Sequence, residues 1–259
     1  MAKVKLVLPS QMALRTDAPP GERSHGHVEI REGVGDAFPL RAGFRHMSAG
    51  SAIEWNEVGS GQIVYLWEGE ARVGETVLEE RSCVILEHGS STSIEAQADN
   101  TTLLVFDAGR CAPSARAAGG HVHLLPAQRV QRTHECMPGT AVGAAIYADA
   151  ACSTCSLWLH ENTYHLPRYK LGLHSHSQDE IIVVTGGEMV IGRRTCGRGA
   201  MLAVARDVLY AFETGDSGMQ FINFRPSHPT FTSADGSQVI DEGAFYRNVF
   251  KAPPPYIEF

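Results

Sequence analysis

The sequence has no long hydrophobic run and no excess of positive charge. No apolar stretch approaches the roughly 18–20 residues that a membrane-spanning helix needs, and the apolar stretch at the start is broken at Pro9, too early for a signal peptide. Lys and Arg together number 22 against 29 Asp and Glu, for a formal net charge of −7. A surface that binds nucleic acid needs clustered cations. We therefore expect a cytoplasmic globular protein with neither nucleic acid nor membrane as a partner.

Several signatures of catalysis or cross-linking are also missing. There is no phosphate-binding loop, no Gly-x-Gly-x-x-Gly after a strand and no nucleophile elbow, so nucleotide-dependent and serine-hydrolase chemistry are not expected. Six cysteines are scattered over 259 residues, a chain too long to need a disulfide framework. Cys152 and Cys155 form one Cys-x-x-Cys, without the second pair of a zinc ribbon or the βαβ setting of a thioredoxin-like site. We expect ordinary reduced cysteines.

The chain contains an internal repeat. The segment Gly69-Glu-Ala-Arg-Val-Gly74 recurs 118 positions later as Gly187-Glu-Met-Val-Ile-Gly192, and this register runs without a gap over more than thirty residues. The small-residue-rich segment 108–120 lies between the two copies and is the natural linker. We therefore predict two domains, 1–118 and 119–259, with a C-terminal tail in the second.

Both copies have the composition of β-structure. Short runs of β-branched and aromatic residues recur at close intervals, for example Gln62-Ile-Val-Tyr-Leu-Trp67 and Glu180-Ile-Ile-Val-Val-Thr185. The 26 glycines suit many tight turns. No segment shows a sustained apolar period of 3.6 residues. The fold class predicted is all-β, with one sandwich or barrel in each half.

The second half carries a His-x-His with a glutamate four residues on, in Gly172-Leu-His174-Ser-His176-Ser-Gln-Asp-Glu180. Alternate residues of a strand face one side, so positions 174, 176, 178 and 180 can converge. Two imidazoles and one carboxylate form a facial ligand set that leaves coordination positions open, whereas a structural zinc site closes its shell. We predict His174, His176 and Glu180 as metal ligands.

Two other His-x-His pairs lack this setting. His25-Gly-His27 lies in a polar stretch and has no acidic residue four positions on. His121-Val-His123 lies where the repeat places the opening strand of the second half. Both pairs are expected to be structural or solvent-facing.

The pattern around Glu180 resembles the first motif of the cupin superfamily, His-x-His, three residues, Glu, six residues, Gly. The matching residues are His174, His176, Glu180 and Gly187. Together with the repeat, the chain resembles a bicupin, which implies two tandem double-stranded β-helix barrels of the RmlC-like jelly-roll type. The metal motif is present only in the second half.

The first half has lost the corresponding ligands. Asn56, Val58 and Gln62 stand opposite the three predicted ligands when the sequence is shifted by 118 positions. Valine cannot bind a metal, and neutral amides are poor ligands for a transition ion. The N-terminal domain is therefore expected to lack metal ligands and to act as a scaffold, with a metal-free ligand pocket as the alternative.

The second cupin motif, which usually supplies a third histidine, is altered here. Tyr210 stands in place of the histidine, Ala205 in place of the proline and Asp207 in place of the second glycine. We predict Tyr210 as the catalytic residue, as a phenolate ligand, a phenol that holds bound water, or a general acid or base. A tyrosine that only fills the barrel end is the alternative. Tyr164 or His165 could instead supply the missing donor.

Three polar residues are predicted to bind substrate. Arg168 and Lys170 precede the His-x-His at even-numbered positions, like His174 and His176, and Gln178 follows at another. On a continuous strand all of these side chains would point to the same face. A guanidinium pairs with a carboxylate through two hydrogen bonds, so these cations would favour a carboxylate-bearing substrate. A solvated barrel rim is the alternative.

The resemblance implies a metal-dependent enzyme that acts on a small organic molecule. An open two-histidine, one-carboxylate set is most consistent with a dioxygenase-type oxidoreductase that uses Fe(II), with Zn, Ni or Mn and lyase or isomerase chemistry as other options. The altered second motif favours a different class, a non-catalytic or sensory bicupin that binds a small ligand with weak or no metal. A homodimer is compatible with either function.

Overall fold

The computed structural model describes residues 3–35, 37–109, 120–136, 140–149, 152 and 154–258. Within these ranges the regular structure is mostly β-strand, with two short 3-10 helices, Pro9–Gln11 and Ala127–Arg129, and one α-helix near the C-terminus. The described residues include no helix that is long and apolar enough to span a membrane. The all-β prediction is therefore confirmed.

The strands of the first half are short and follow one another closely. They are β1 Val4–Val7, β2 Ala13–Arg15, β3 Glu22–His25, β4 Val28–Val34, β5 Arg41–Met47, β6 Ala52–Trp55, β7 Gln62–Glu68, β8 Glu70–Val73, β9 Thr76–Glu79, β10 Cys83–Leu86, β11 Thr92–Ala96 and β12 Thr101–Asp107.

The second half repeats this pattern and adds the helix. Its elements are β13 Val122–Leu125, β14 Gln131–Thr133, β15 Val142–Ala148, β16 Trp158–Tyr164, β17 Lys170–His176, β18 Glu180–Ile191, β19 Arg194–Cys196, β20 Met201–Val204, β21 Tyr210–Arg225, β22 Thr230–Ser233, β23 Val239–Asp241, α1 Glu242–Phe250 and β24 Ile257–Glu258.

The chain forms two compact units that exchange short segments. The N-terminal unit comprises residues 12–130, 153–155 and 254–259, and the C-terminal unit comprises residues 1–11, 131–152 and 156–253. Strand β1 thus belongs to the C-terminal unit, where it pairs with β20, and β13 belongs to the N-terminal unit, where it pairs with β10. Each unit therefore contains short segments from the other half of the chain, which a single division at residue 118 does not describe. Most of the predicted linker, 110–119, lies outside the described residues.

The N-terminal unit is a sandwich of two sheets. In its described residues one sheet has the order β2-β4-β5-β12-β7-β10-β13-β24 and the other the order β3-β6-β11-β8-β9. The buried core draws on both sheets, with Ile53, Trp55 and Ile94 from the second facing Val64 and Leu103 from the first. Inward and outward residues alternate along β8, as a half-buried antiparallel strand requires.

The C-terminal unit is built on two long strands, β18 and β21. The order of its sheet is β1-β20-β18-β21-β16-β15-β14. Off this path, β17 pairs with β21 and β22, β19 pairs with β18, and β23 pairs with β22. Register shifts flank Gly187 where β18 pairs with β21, and such bulges bend a strand. Gly187 has a φ of +62°, and a Cβ there would lie 2.3 Å from the Gly218 carbonyl oxygen. This glycine of the first motif is therefore required by the bend.

The structure reproduces the sequence repeat. Strand β10 at 83–86 recurs as β20 at 201–204, and β7 begins at Gln62 where β18 begins at Glu180. Both shifts equal 118 positions. The opening strands of the two halves also pair in the same manner. Strand β1 is antiparallel to β20, and β13 is antiparallel to β10.

The packing of β1 leads to a stability prediction. Leu6 and Leu8 pack against the core of the C-terminal unit, so Leu6→Ala together with Leu8→Ala should lower the free energy of unfolding by about 2–4 kcal/mol. Val4 on the same strand is 41% exposed, and Val4→Ala should change it by less than about 0.5 kcal/mol. Calorimetric unfolding of the full chain measures both, and equal effects would contradict the assigned place of β1.

Candidate active site

His174 and His176 lie on one face of β17, two residues apart, and both are buried. Their rings meet edge to face with centroids 5.1 Å apart. Glu180 begins β18 after a short turn and is 1% exposed. The alternation expected from the sequence therefore places the two histidines side by side. Nε2 of His176 lies 4.0 Å from Oε2 of Glu180.

Tyr210 begins β21 and is the register partner of His174. The two ring centroids are 4.4 Å apart, and Tyr210 is 6% exposed. Burial and the negative charge of Glu180 raise the pKa of Tyr210 well above its usual value. Without a bound ion the side chain is therefore a neutral phenol that can donate a proton.

His174, His176 and Tyr210 face a cavity of about 490 Å³ in the C-terminal unit. This volume is in the range of pockets for small organic ligands. Aromatic side chains contribute much of its wall, namely Tyr164, Tyr169, Phe212, Phe221, Phe231 and Phe245. Phe231 stacks on His174 with centroids 4.9 Å apart. The cavity thus has a largely aromatic wall in which His174, His176 and Tyr210 stand beside other polar side chains.

The three residues predicted to bind substrate do not line this cavity. Arg168 is exposed and its Nε donates to Asp216 Oδ1 at 2.6 Å, so its charge is paired at the surface. Lys170 is exposed, and Gln178 lies in the turn after β17. Parity failed because Arg168 precedes β17 and Gln178 follows it, and because a register shift between Leu171 and His174 separates Lys170 from the histidines.

The cation that does line the cavity is Arg225, at the end of β21. It is 1% exposed, and its Nη2 and Nε donate to Glu180 Oε2 at 2.8 and 3.2 Å. Asn223 Nδ2 donates to the same oxygen at 2.8 Å. Burial alone would raise the pKa of Glu180, but the charges of His176 and Arg225 and the Asn223 hydrogen bond outweigh it and lower the pKa. Glu180 is therefore ionised.

A second carboxylate reaches the site from helix α1. Asp241 caps this helix by accepting from the Ala244 N–H at 2.9 Å, which directs the next residue, Glu242, inward. Glu242 Oε2 accepts from Arg225 Nη1 at 2.7 Å, and its Oε1 lies 3.2 Å from His176 Nδ1. Arg225 and His176 hold the pKa of Glu242 well below its usual value despite burial.

His160 on β16 also lines the cavity. Its Nδ1 accepts from Trp158 Nε1 at 2.8 Å, so the proton of the neutral ring is on Nε2. Burial and the Arg225 charge lower the pKa of His160 to about 3. The pairing of Arg225 with Glu180 was not expected from the sequence, and neither His160 nor Glu242 was expected at the site. An Asp-Glu pair before Gly243 was the available signal for the helix start.

Several features of the site fit a divalent transition ion. His174 Nδ1 donates to the Gly172 carbonyl at 2.6 Å, which leaves Nε2 with its lone pair facing away from the backbone. Burial lowers the pKa of His174, so the ring is neutral, as a ligand must be. Glu180 Oε1 is buried with no hydrogen bond among the described residues. The donor types therefore match those predicted from sequence.

The spacing of the donors is wider than in a closed metal site. Among the described residues, one group of three or more potential ligand atoms lies within 4.8 Å of one another, and it is a different cluster, around Glu87 and His123. His174, His176 and Glu180 are not such a group, because Arg225 and Asn223 hold the Glu180 carboxylate on their side. Metal binding there requires the three side chains to close in, and the ligand set stays a prediction.

No family model and no curated protein matches the chain by sequence. Solved structures resemble it over most of its length. Ylba from E. coli, of family model DUF861, covers 86% of this chain and 90% of its own at 12% identity, with a TM-score of 0.63. An oxalate decarboxylase in a formate complex from Lactobacillus farciminis covers 89% and 88% at 12% identity and 0.65. A candidate dioxygenase from Nostoc punctiforme covers 92% and 86% at 10% identity and 0.64. These likenesses show the fold, and the predicted jelly-roll architecture is confirmed.

The ion pair of Glu180 and Arg225 leads to a prediction for stability. Arg225→Met leaves two buried carboxylates without their partner and should cost about 3–5 kcal/mol of unfolding free energy near neutral pH. The folded pKa of Glu180 lies below its ordinary value of 4.5 in the native protein and should lie above it in the variant. The deficit should therefore be smaller at about pH 4 than at about pH 7.

Urea unfolding at the two pH values measures this effect. Arg168→Met removes an exposed guanidinium whose side chain is 59% accessible, and it should change stability by at most about 1 kcal/mol. A pH-independent loss in Arg225→Met would show that packing rather than charge pairing accounts for it.

Proposed function

We propose that the chain is a metal-dependent bicupin enzyme that acts on a small organic molecule with an aromatic or otherwise apolar body. The aromatic cavity of about 490 Å³ with two histidines and a neutral tyrosine in its wall carries this proposal. Such a chamber would bury the apolar part of a substrate and direct its polar end to His174, His176 and Tyr210.

His174, His176 and Glu180 would hold a divalent transition ion. The two ionised carboxylates beside the imidazoles, Glu180 and Glu242, support a cation here. When bound, such an ion supplies oxygen activation or Lewis-acid polarisation of the substrate. Fe(II) is our first choice, and Zn, Ni and Mn are compatible with the same donors.

Tyr210 would serve as the proton donor. Its phenol is neutral because Glu180 and burial raise its pKa, and it lies beside His174 on the neighbouring strand. A phenol in this state can hydrogen-bond to oxygen on a substrate and transfer a proton as charge develops. Arg225 and Asn223 would act as positioning residues that fix the Glu180 carboxylate.

One observation favours a second function, a bicupin that binds a small ligand without catalysis. Arg225 and Asn223 together donate three hydrogen bonds to Glu180 Oε2, so this carboxylate is satisfied in part without any metal. In that case a ligand would bind equally well to wild type and to His174→Ala/His176→Ala, because no metal held by the two imidazoles would contact the ligand.

Elemental analysis tests the proposal, with protein reconstituted anaerobically with Fe(II), Zn, Ni or Mn. Wild type and Tyr210→Phe should each retain about one equivalent of metal at this site. The His174→Ala/His176→Ala variant should lose that equivalent. On a panel of aromatic diols and diketones, Tyr210→Phe should lower turnover by about 10²–10⁴-fold with its metal content unchanged.

Two results would contradict the enzyme proposal. One is the same metal content in wild type and the double histidine variant. The other is metal-independent thermal stabilisation by members of the panel, equal in both proteins, which would support the ligand-binding function instead.

A further inference from the structure

We propose a second metal site, a thiolate-containing zinc site in the N-terminal unit formed by Glu87, His123 and Cys155. It is separate from the cavity of the C-terminal unit and uses none of its residues. Sequence analysis assigned ordinary roles to the cysteine and to the histidine. The three side chains nevertheless bring one donor atom each to within 4.8 Å of one another.

The fold holds two of these donors on adjacent strands. His123 lies on β13, opposite Ile85 of β10, and Glu87 is the first residue after β10. Cys155 belongs to the short segment 153–155, which is part of the same unit. All three are buried, with exposures of 3% for Glu87, 1% for His123 and 4% for Cys155. The donors thus come from three separate parts of the chain.

Surrounding groups orient the carboxylate and the imidazole. Glu87 Oε1 lies 2.8 Å from His123 Nε2, and its Oε2 accepts from the His121 N–H at 3.4 Å. The ring of Tyr256 lies against His123 with centroids 5.2 Å apart. Glu87 can therefore bind the ion directly or fix the ring of His123 as an outer partner, as carboxylates often do at zinc sites.

The chemistry of the donors selects the kind of ion. A sulfur, a nitrogen and a carboxylate oxygen suit Zn²⁺. They do not suit Ca²⁺ or Mg²⁺, which prefer oxygen ligands alone. A thiolate beside a carboxylate is unfavourable in a buried place, and a divalent cation between them turns repulsion into attraction.

Cobalt substitution of the full chain tests this site through its spectrum. Protein stripped of metal under reducing conditions and titrated with Co²⁺ should show a thiolate-to-cobalt charge-transfer band in the near ultraviolet. The band should be lost in Cys155→Ser and unchanged in Cys196→Ser, which alters a buried thiol outside the cluster. It should also persist in His174→Ala/His176→Ala, because that variant removes only the other predicted site.

The outcomes separate this site from the enzyme proposal. A band in wild type together with no metal bound through His174 and His176 would overturn the proposed function and support the zinc site. Absence of the band in wild type, or its survival in Cys155→Ser, would overturn the zinc site. If Cys155→Ser fails to fold, X-ray absorption of zinc-loaded wild type decides, since the site requires a Zn–S distance of about 2.3 Å.

Discussion

Glu180 and Arg225 lie side by side on neighbouring strands, and their ion pair sets the charge of the groups that face the cavity. Both side chains are 1% exposed, so neither charge could be kept there alone. Burial and the ionised carboxylate keep Tyr210 protonated, burial and the guanidinium keep His160 neutral, and the guanidinium keeps Glu242 ionised against the effect of burial. The protonation states of the site are therefore linked through a single pair.

The duplicated chain shows what this position needs. In the N-terminal unit Gln62 and Asp107 are register partners on β7 and β12 and stand where Glu180 and Arg225 stand in the second copy. Gln62 Oε1 accepts from Trp55 Nε1 at 3.0 Å, and its Nε2 lies 3.5 Å from Asp107 Oδ2. The same backbone thus holds an amide network in one barrel and an ion pair in the other. The pair is a feature of the second site and not a requirement of the fold.

Local pattern was enough for the all-β class and for the strand that bears the histidines, and the resemblance to a known family supplied the jelly-roll architecture. Alternation placed His174 and His176 together, and the second motif of that family placed Tyr210 near them. Parity failed for Arg168, which precedes β17, and for Lys170, because a register shift separates it from the histidines. Arg225, Glu242 and His160 meet Glu180 or His176 only through contacts between residues that are distant in sequence. Such contacts follow from strand order and from the direction of helix α1, which no local period records.

The charge of the cavity also limits what it can bind first. Glu180 and Glu242 are ionised and share Arg225, and the His174 ring is neutral. An anionic substrate would meet these two carboxylates, and Arg225 is poorly placed to attract it because each of its nitrogens already donates to one of them. A divalent ion at the histidines would make the local charge more positive. A substrate that carries a carboxylate should therefore bind more readily after the metal, whereas a neutral aromatic molecule could enter in either order.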